Sequence, residues 1–180
     1  MSELAPIESG RTPGARSRTT PGAEPGAVCW YVRAAGDEDV PAVVEAVSAL
    51  LLEIGGTPPA AEAMTATARL LLADGGAGVL LVAEAGDELV GVLAASWQSA
   101  IHVAGRYALI QDLWVHPAWR SRAIGADLLA ALNDLAAGRQ ITRIEVGLPR
   151  ASFAGLAATE AFYRAHGFTP LGARMRRLLE

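Results

Sequence analysis

The chain has 180 residues, 52% of them hydrophobic, and 15 basic against 19 acidic side chains give it a formal net charge of −4. That length suits one domain with one core, and no apolar run approaches the roughly 20 residues of a membrane span. Nucleic-acid binders carry a basic excess, so the acidic balance disfavours a tRNA or DNA partner.

Residues 1–27 are rich in Pro, Gly, Ser and Thr without any period, and are expected to form a disordered N-terminal arm ahead of a domain over 28–180. Cys29 is the single cysteine. It has no internal disulfide partner, and with no apolar signal segment at the N-terminus the cytoplasm is the expected compartment. A short strand is predicted at Val28–Ala34. Asp37 or Asp39 then caps a helix with Pro41 in its first turn, and Val40, Val43, Val44, Val47, Leu50, Leu51 and Ile54 form its buried stripe. Gly55-Gly56 stops it, and a second helix runs from Pro58-Pro59 to about Ala73. Strands Val79–Ala85 and Glu88–Ser99 follow, joined by a Gly86-Asp87 turn. A hairpin near Ala104-Gly105-Arg106 leads into a third long strand ending at Val115. A helix over about Ser121–Ala137, a strand at Ile141–Leu148, a helix ending near His166 and a last strand or strand pair at Phe168–Leu179 complete the chain. The order β-α-α-β-β-β-α-β-α-β predicts an α/β (α+β) fold, a mixed, antiparallel-rich central sheet with helices on both faces.

The segment Val115-His-Pro-Ala-Trp-Arg120-Ser-Arg122-Ala-Ile-Gly125-Ala126 turns the third long strand into a helix through a tight, basic, small-residue loop. Ile124, Leu128, Leu132 and Leu135 recur on one face of that helix. A helix entered this way offers unpaired N–H groups and its positive dipole end, and the small side chains let an anion approach them. Arg120 and Arg122 add charge, so this is an expected phosphate or pyrophosphate site.

Arg120-Ser-Arg-Ala123-Ile-Gly125 resembles the signature of the GNAT acetyltransferases, Gln/Arg-x-x-Gly-x-Gly/Ala. Ala123 replaces the first Gly, with helical φ/ψ expected to accommodate its methyl group. Ala161-Phe-Tyr163-Arg-Ala-His-Gly167-Phe168 resembles a second, later segment of the same family, and the resemblance spans residues 30–178. It implies acetyl-CoA as co-substrate and an N-acetyltransferase. In the family a bulge splays two strands, and the pantetheine arm lies in the gap between them. Here Leu113 and Val115 would hold that arm, and a backbone N–H near Leu113 or Trp114 would bond the thioester carbonyl. Arg120, Arg122, Ala123, Gly125 and Ala126 would receive the pyrophosphate.

Tyr163 is the candidate proton donor to the departing thiolate, and Asp112 the candidate base for the acceptor ammonium. Strand alternation puts Ile110, Asp112 and Trp114 on one face and Gln111, Leu113 and Val115 on the other. If the pocket faces the second set, Glu84, Glu145 or water would be the base. The family's auxiliary Asn is missing, so its role is vacant or passes to Ser152. His116 and His166 lack ligand spacing, and no metal is expected. The implied reaction is direct attack by a small-molecule primary amine in a ternary complex, by a monomer or homodimer with no nucleic-acid or membrane partner. The alternatives are acylation of a protein amine or aminoacyl-tRNA, and a catalytically silent acyl-CoA sensor.

Overall fold

The computed structural model describes residues 16–17 and 29–172. Its sheet runs in the order β1 (Arg16–Ser17), β2 (Tyr31–Ala34), β3 (Gly78–Ala85), β4 (Glu88–Ala100), β5 (Gly105–Val115) and β6 (Ile144–Val146). Each neighbour pair is antiparallel except β5 and β6, which are parallel. The helices are α1 (Val40–Glu53), α2 (Ala61–Ala73), α3 (Ile124–Gly138) and α4 (Leu156–Ala165). The mixed sheet and its helical faces match expectation. Within the N-terminal arm, Arg16 and Ser17 pair with Val32 and Tyr31; the rest of residues 1–27 lies outside the described residues.

Two apolar layers sandwich the sheet. On one face Ile124, Leu128, Leu129 and Leu132 of α3 and Tyr163 of α4 meet Leu81, Ala83, Leu93, Ala95 and Ile110. On the other, Val40, Val43, Val44 and Ala46 of α1 and Ala68 of α2 meet Leu80, Val82, Val92, Ala94 and Trp114. The predicted α1 stripe is therefore buried only at its N-terminal end. Toward the C-terminus Leu50, Leu51 and Ile54 are half-buried, which leaves them for the site.

Asp39 does not cap α1 with its side chain. Its Oδ2 accepts from the N–H of Gly36 (2.7 Å) and from Arg33 Nη1 (2.6 Å), while Arg33 Nε donates to Glu84 (2.8 Å). The hydrogen bond from Arg33 holds the Asp39 carboxyl below its ordinary range. β6 is shorter than the predicted Ile141–Leu148. Phe168–Gly172 forms no strand, and the remainder of the predicted last strand lies outside the described residues.

The feature that organises the site is in β5. Ala94 pairs with Asp112 but Ala95 pairs with Ile110. Gln111 is thus an extra residue, a β-bulge that reverses the face parity of everything after it. Ile110, Leu113 and Val115 pack on the α3 face. Trp114 packs on the α1 face, where Asp112 sits opposite Ala94. The expected grouping of Ile110 with Asp112 and Trp114 is corrected accordingly, because strict alternation fails across the inserted residue. Gln111 also lies on the α1 face, its Nε2 donating to Ser96 Oγ at 2.9 Å.

Candidate active site

β6 pairs with β5 only at Ala108, Leu109 and Ile110. Pairing stops where the bulge begins, so among the described residues no strand lies beside the β5 edge from Gln111 to Val115. Antiparallel residues alternate between bonding their partner strand and facing away from it. His116 donates its N–H to Val90 O (2.9 Å), which puts Trp114 and Asp112 in bonding pairs with β4. Leu113 and Val115 therefore turn their backbone groups toward the gap. Of the two expected donors to a thioester carbonyl, Leu113 has its N–H on the open side and Trp114 has its N–H committed to β4.

The gap opens into a cleft of about 820 Å³, lined by β5 residues 110–115, the loop and first turn of α3, Val146–Pro149, the inner side of α4 and the C-terminal end of α1. Tyr163, Asp112, Leu113, Trp114, Val115, Arg120, Ala123, Gly125 and Ala126 all line it. Arg122 does not line it; its guanidinium lies 5.1 Å over the Trp119 ring. Ser152 is also absent from the lining.

The loop entering α3 follows from its backbone. Ser121 and Ala123 take φ of 61° and 68°, and the first α3 bond is Asp127 N–H to Ala123 O at 3.0 Å. The N–H groups of Ile124, Gly125 and Ala126 have no partner within the helix, which is the arrangement that receives an anion. The left-handed φ also starts the helix three residues after Ser121 and gives the reason for a glycine at the Ala123 position in the motif. Ala123 is not accommodated by helical φ/ψ, as expected, but by a conformation that costs an L-residue about 1–2 kcal/mol. Gly125 is small for a further reason: a Cβ there would meet the Phe162 ring at 3.1 and 3.3 Å. Its lack of a side chain lets α4 lie against α3.

Arg120 makes three bonds. Its Nε donates to Val115 O (3.0 Å), and Nη1 and Nη2 donate to Glu53 Oε1 and Oε2 (2.8 and 2.6 Å). The guanidinium thus ties the end of α1 to the anion loop, with its charge balanced by Glu53. No local signal in the sequence links these two residues across 67 positions.

Burial raises the Tyr163 phenol to about 12 and pushes the Asp112 carboxyl up from its ordinary value. The other candidate bases stand elsewhere. Glu84 is bonded to Arg33 and Glu145 lies 3.0 Å from Arg143 Nε, and neither lines the cleft. His116 accepts from Ala118 N–H through Nδ1 (3.3 Å), and His166 Nδ1 bonds Phe162 O (2.7 Å). His166 nonetheless lines the cleft, which its helix-end position did not reveal.

A family model described as the acetyltransferase (GNAT) domain matches residues 76–170. Comparison with curated protein sequences finds no match. Among solved structures, a possible acetyltransferase from Clostridium difficile 630 is 16% identical with a TM-score of 0.70, covering 84% of this chain and 97% of its own. A predicted acetyltransferase with acetyl-CoA from Clostridium acetobutylicum is 19% identical, TM-score 0.70, covering 83% and 96%. The glucosamine-6-phosphate N-acetyltransferase of Arabidopsis thaliana is 14% identical, TM-score 0.67, covering 84% and 99%. At these identities the structures show a shared fold. Because that family model matches more than half of the chain, the chain belongs to the GNAT acetyltransferase family, whose acyl donor is acetyl-CoA.

Proposed function

We propose that the protein is an N-acetyltransferase that acetylates a primary amine of a small molecule by direct attack within a ternary complex. The observation that carries this reading is the convergence of Asp112, Tyr163 and the open backbone edge of Leu113 and Val115 on one cleft. Acetyl-CoA supplies an activated thioester acyl group. The edge at Leu113 and the N–H of Val115, whose carbonyl Arg120 already holds, would bind the pantetheine arm, and the N–H groups of Ile124, Gly125 and Ala126 the pyrophosphate. Arg120 acts there as a strut for the loop rather than as a free cation, since Glu53 occupies it.

Asp112 takes a proton from the acceptor ammonium, freeing the nitrogen lone pair. Its raised pKa makes it a stronger base than an ordinary carboxylate. The N–H of Leu113 faces the carbonyl oxygen as negative charge grows on it. As the new C–N bond forms and the C–S bond breaks, Tyr163 gives its proton to the sulfur. The second proton of the attacking nitrogen passes to the Tyr163 phenolate, which leaves a neutral amide and restores the phenol, and Asp112 releases its proton to solvent. The phenol, about 12 when buried, is fully protonated at neutral pH and so available as an acid. The only cysteine, Cys29, is outside the cleft lining, consistent with a reaction without an acyl-enzyme.

The test is free-thiol release from acetyl-CoA against a panel of amines, with mass spectrometry of the acylated product. Acetyl-CoA binding without thiol release in the presence of any amine would refute the reading in favour of a silent acyl-CoA sensor.

A further inference from the structure

Resting on that reading, we propose that the acceptor is a primary monoamine carried on an apolar alkyl or aryl body, bound by Asp112 against a wall made by Leu50, Leu51 and Ile54 of α1. The bulge sends Asp112 to the α1 face of the sheet, while the open edge at Leu113 and Val115 faces the gap. The acceptor therefore approaches from the α1 side and meets the half-buried Leu50, Leu51 and Ile54.

Charge count in the cleft sets the class. Among the described residues lining it, Glu53 and Asp112 are the acidic ones. Both Glu53 oxygens accept from Arg120, which leaves Asp112 as the carboxylate for a cationic acceptor. A polyamine or an aminoglycoside would bring further ammonium groups into this space without an anionic partner, and unpaired charges in a partly dry cleft are strongly disfavoured. An amino acid's carboxylate or a sugar phosphate would need a cation on this side, and Arg120 is held by Glu53. On this side the hydroxyls of an amino sugar would meet Gln111, which already donates through Nε2 to Ser96 Oγ, and otherwise leucine, isoleucine and tryptophan. One ammonium on an apolar body satisfies Asp112 and buries surface against α1.

The experiment compares kcat/KM for hexylamine, 2-phenylethylamine, 1,6-diaminohexane, spermidine, kanamycin, glucosamine 6-phosphate, leucine and Leu-Leu-Leu amide, read by thiol release. Hexylamine or 2-phenylethylamine should exceed the polycations and the anionic amines by on the order of tenfold to hundredfold. Leu51→Glu adds a second carboxylate to the wall and should raise the ratio of 1,6-diaminohexane to hexylamine turnover. Faster turnover of spermidine, kanamycin, glucosamine 6-phosphate or leucine would overturn the class while leaving the N-acetyltransferase reading intact. A clear preference for the peptide amide over both hexylamine and 2-phenylethylamine would overturn it in favour of a protein amine, since the gain would then come from the peptide backbone rather than from the apolar body. Thiol release with none of them, despite acetyl-CoA binding, would overturn both. Calorimetric titration of hexylamine into the CoA-bound protein gives a readout without turnover: binding should be present in the wild type and weakened about tenfold or more by Asp112→Asn.

Discussion

Replacing Ala123 with glycine isolates the cost of the loop that opens α3. Ala123 stands at φ 68° and ψ 3°, a left-handed conformation that costs an L-residue about 1–2 kcal/mol and glycine almost nothing. Against this gain, glycine loosens the unfolded chain and costs about 0.4–1 kcal/mol. The net expectation is a stabilisation of about 0.5–1 kcal/mol. For a chain of this size that is a rise in Tm of about 1–4 °C. Urea denaturation should show a higher midpoint at an unchanged m-value, since no surface is gained or lost on unfolding. CoA affinity by calorimetry should be unchanged or improved, because the N–H groups of Ile124, Gly125 and Ala126 keep their places. Ala123→Val provides the opposite arm: a β-branched residue is far less tolerant of positive φ, so Tm should fall. A lower midpoint in Ala123→Gly would refute the reasoning and show that the methyl group packs favourably in this loop.

Tyr163→Phe keeps the buried ring and CoA binding but should lower turnover roughly 10²–10⁴-fold; near-normal turnover would make the residue a core aromatic only. Because burial lifts this phenol to about 12, any alkaline loss of rate from its ionisation should come near pH 12 rather than near 10, and should vanish in the variant. Asp112→Asn should abolish most turnover yet raise Tm at neutral pH. The folded state raises this carboxyl, so ionisation opposes folding above the unfolded value of about 4, and the gain should disappear in melts below that pH. Glu53→Gln removes the charge that occupies Arg120; CoA affinity should rise at low salt as the guanidinium becomes available to the pyrophosphate, and no change in calorimetry would show that Arg120 stays on Val115 O. Gly125→Ala should lower Tm, since its Cβ would stand 3.1 Å from the Phe162 ring, and an unchanged melt would show that α4 yields freely.

Much of this protein is legible in local pattern. The apolar runs of β3 to β5, the Gly86-Asp87 and Ala104-Gly105 turns and the apolar period of α3 depend on neighbours within one element, so they survive without tertiary information. The strand-to-helix loop before α3 is legible for the same reason, its signature being a run of small residues before a helix. Other features were decided only when strands met. The bulge at Gln111 exists as a mismatch between two strands, and no spacing within β5 marks it, yet it moves Asp112 and Trp114 to the α1 face and opens the edge at Leu113. The left-handed φ at Ala123 is set by the chain having to turn from β5 into α3, overriding the helical preference of alanine. The Glu53–Arg120 pair joins side chains 67 positions apart, and Leu50, Leu51 and Ile54 line the cleft only because α1 ends over β5. Periodicity specifies which face of an element is buried; what that face is buried against, and which polar groups are left open beside it, follows from the packing of distant segments.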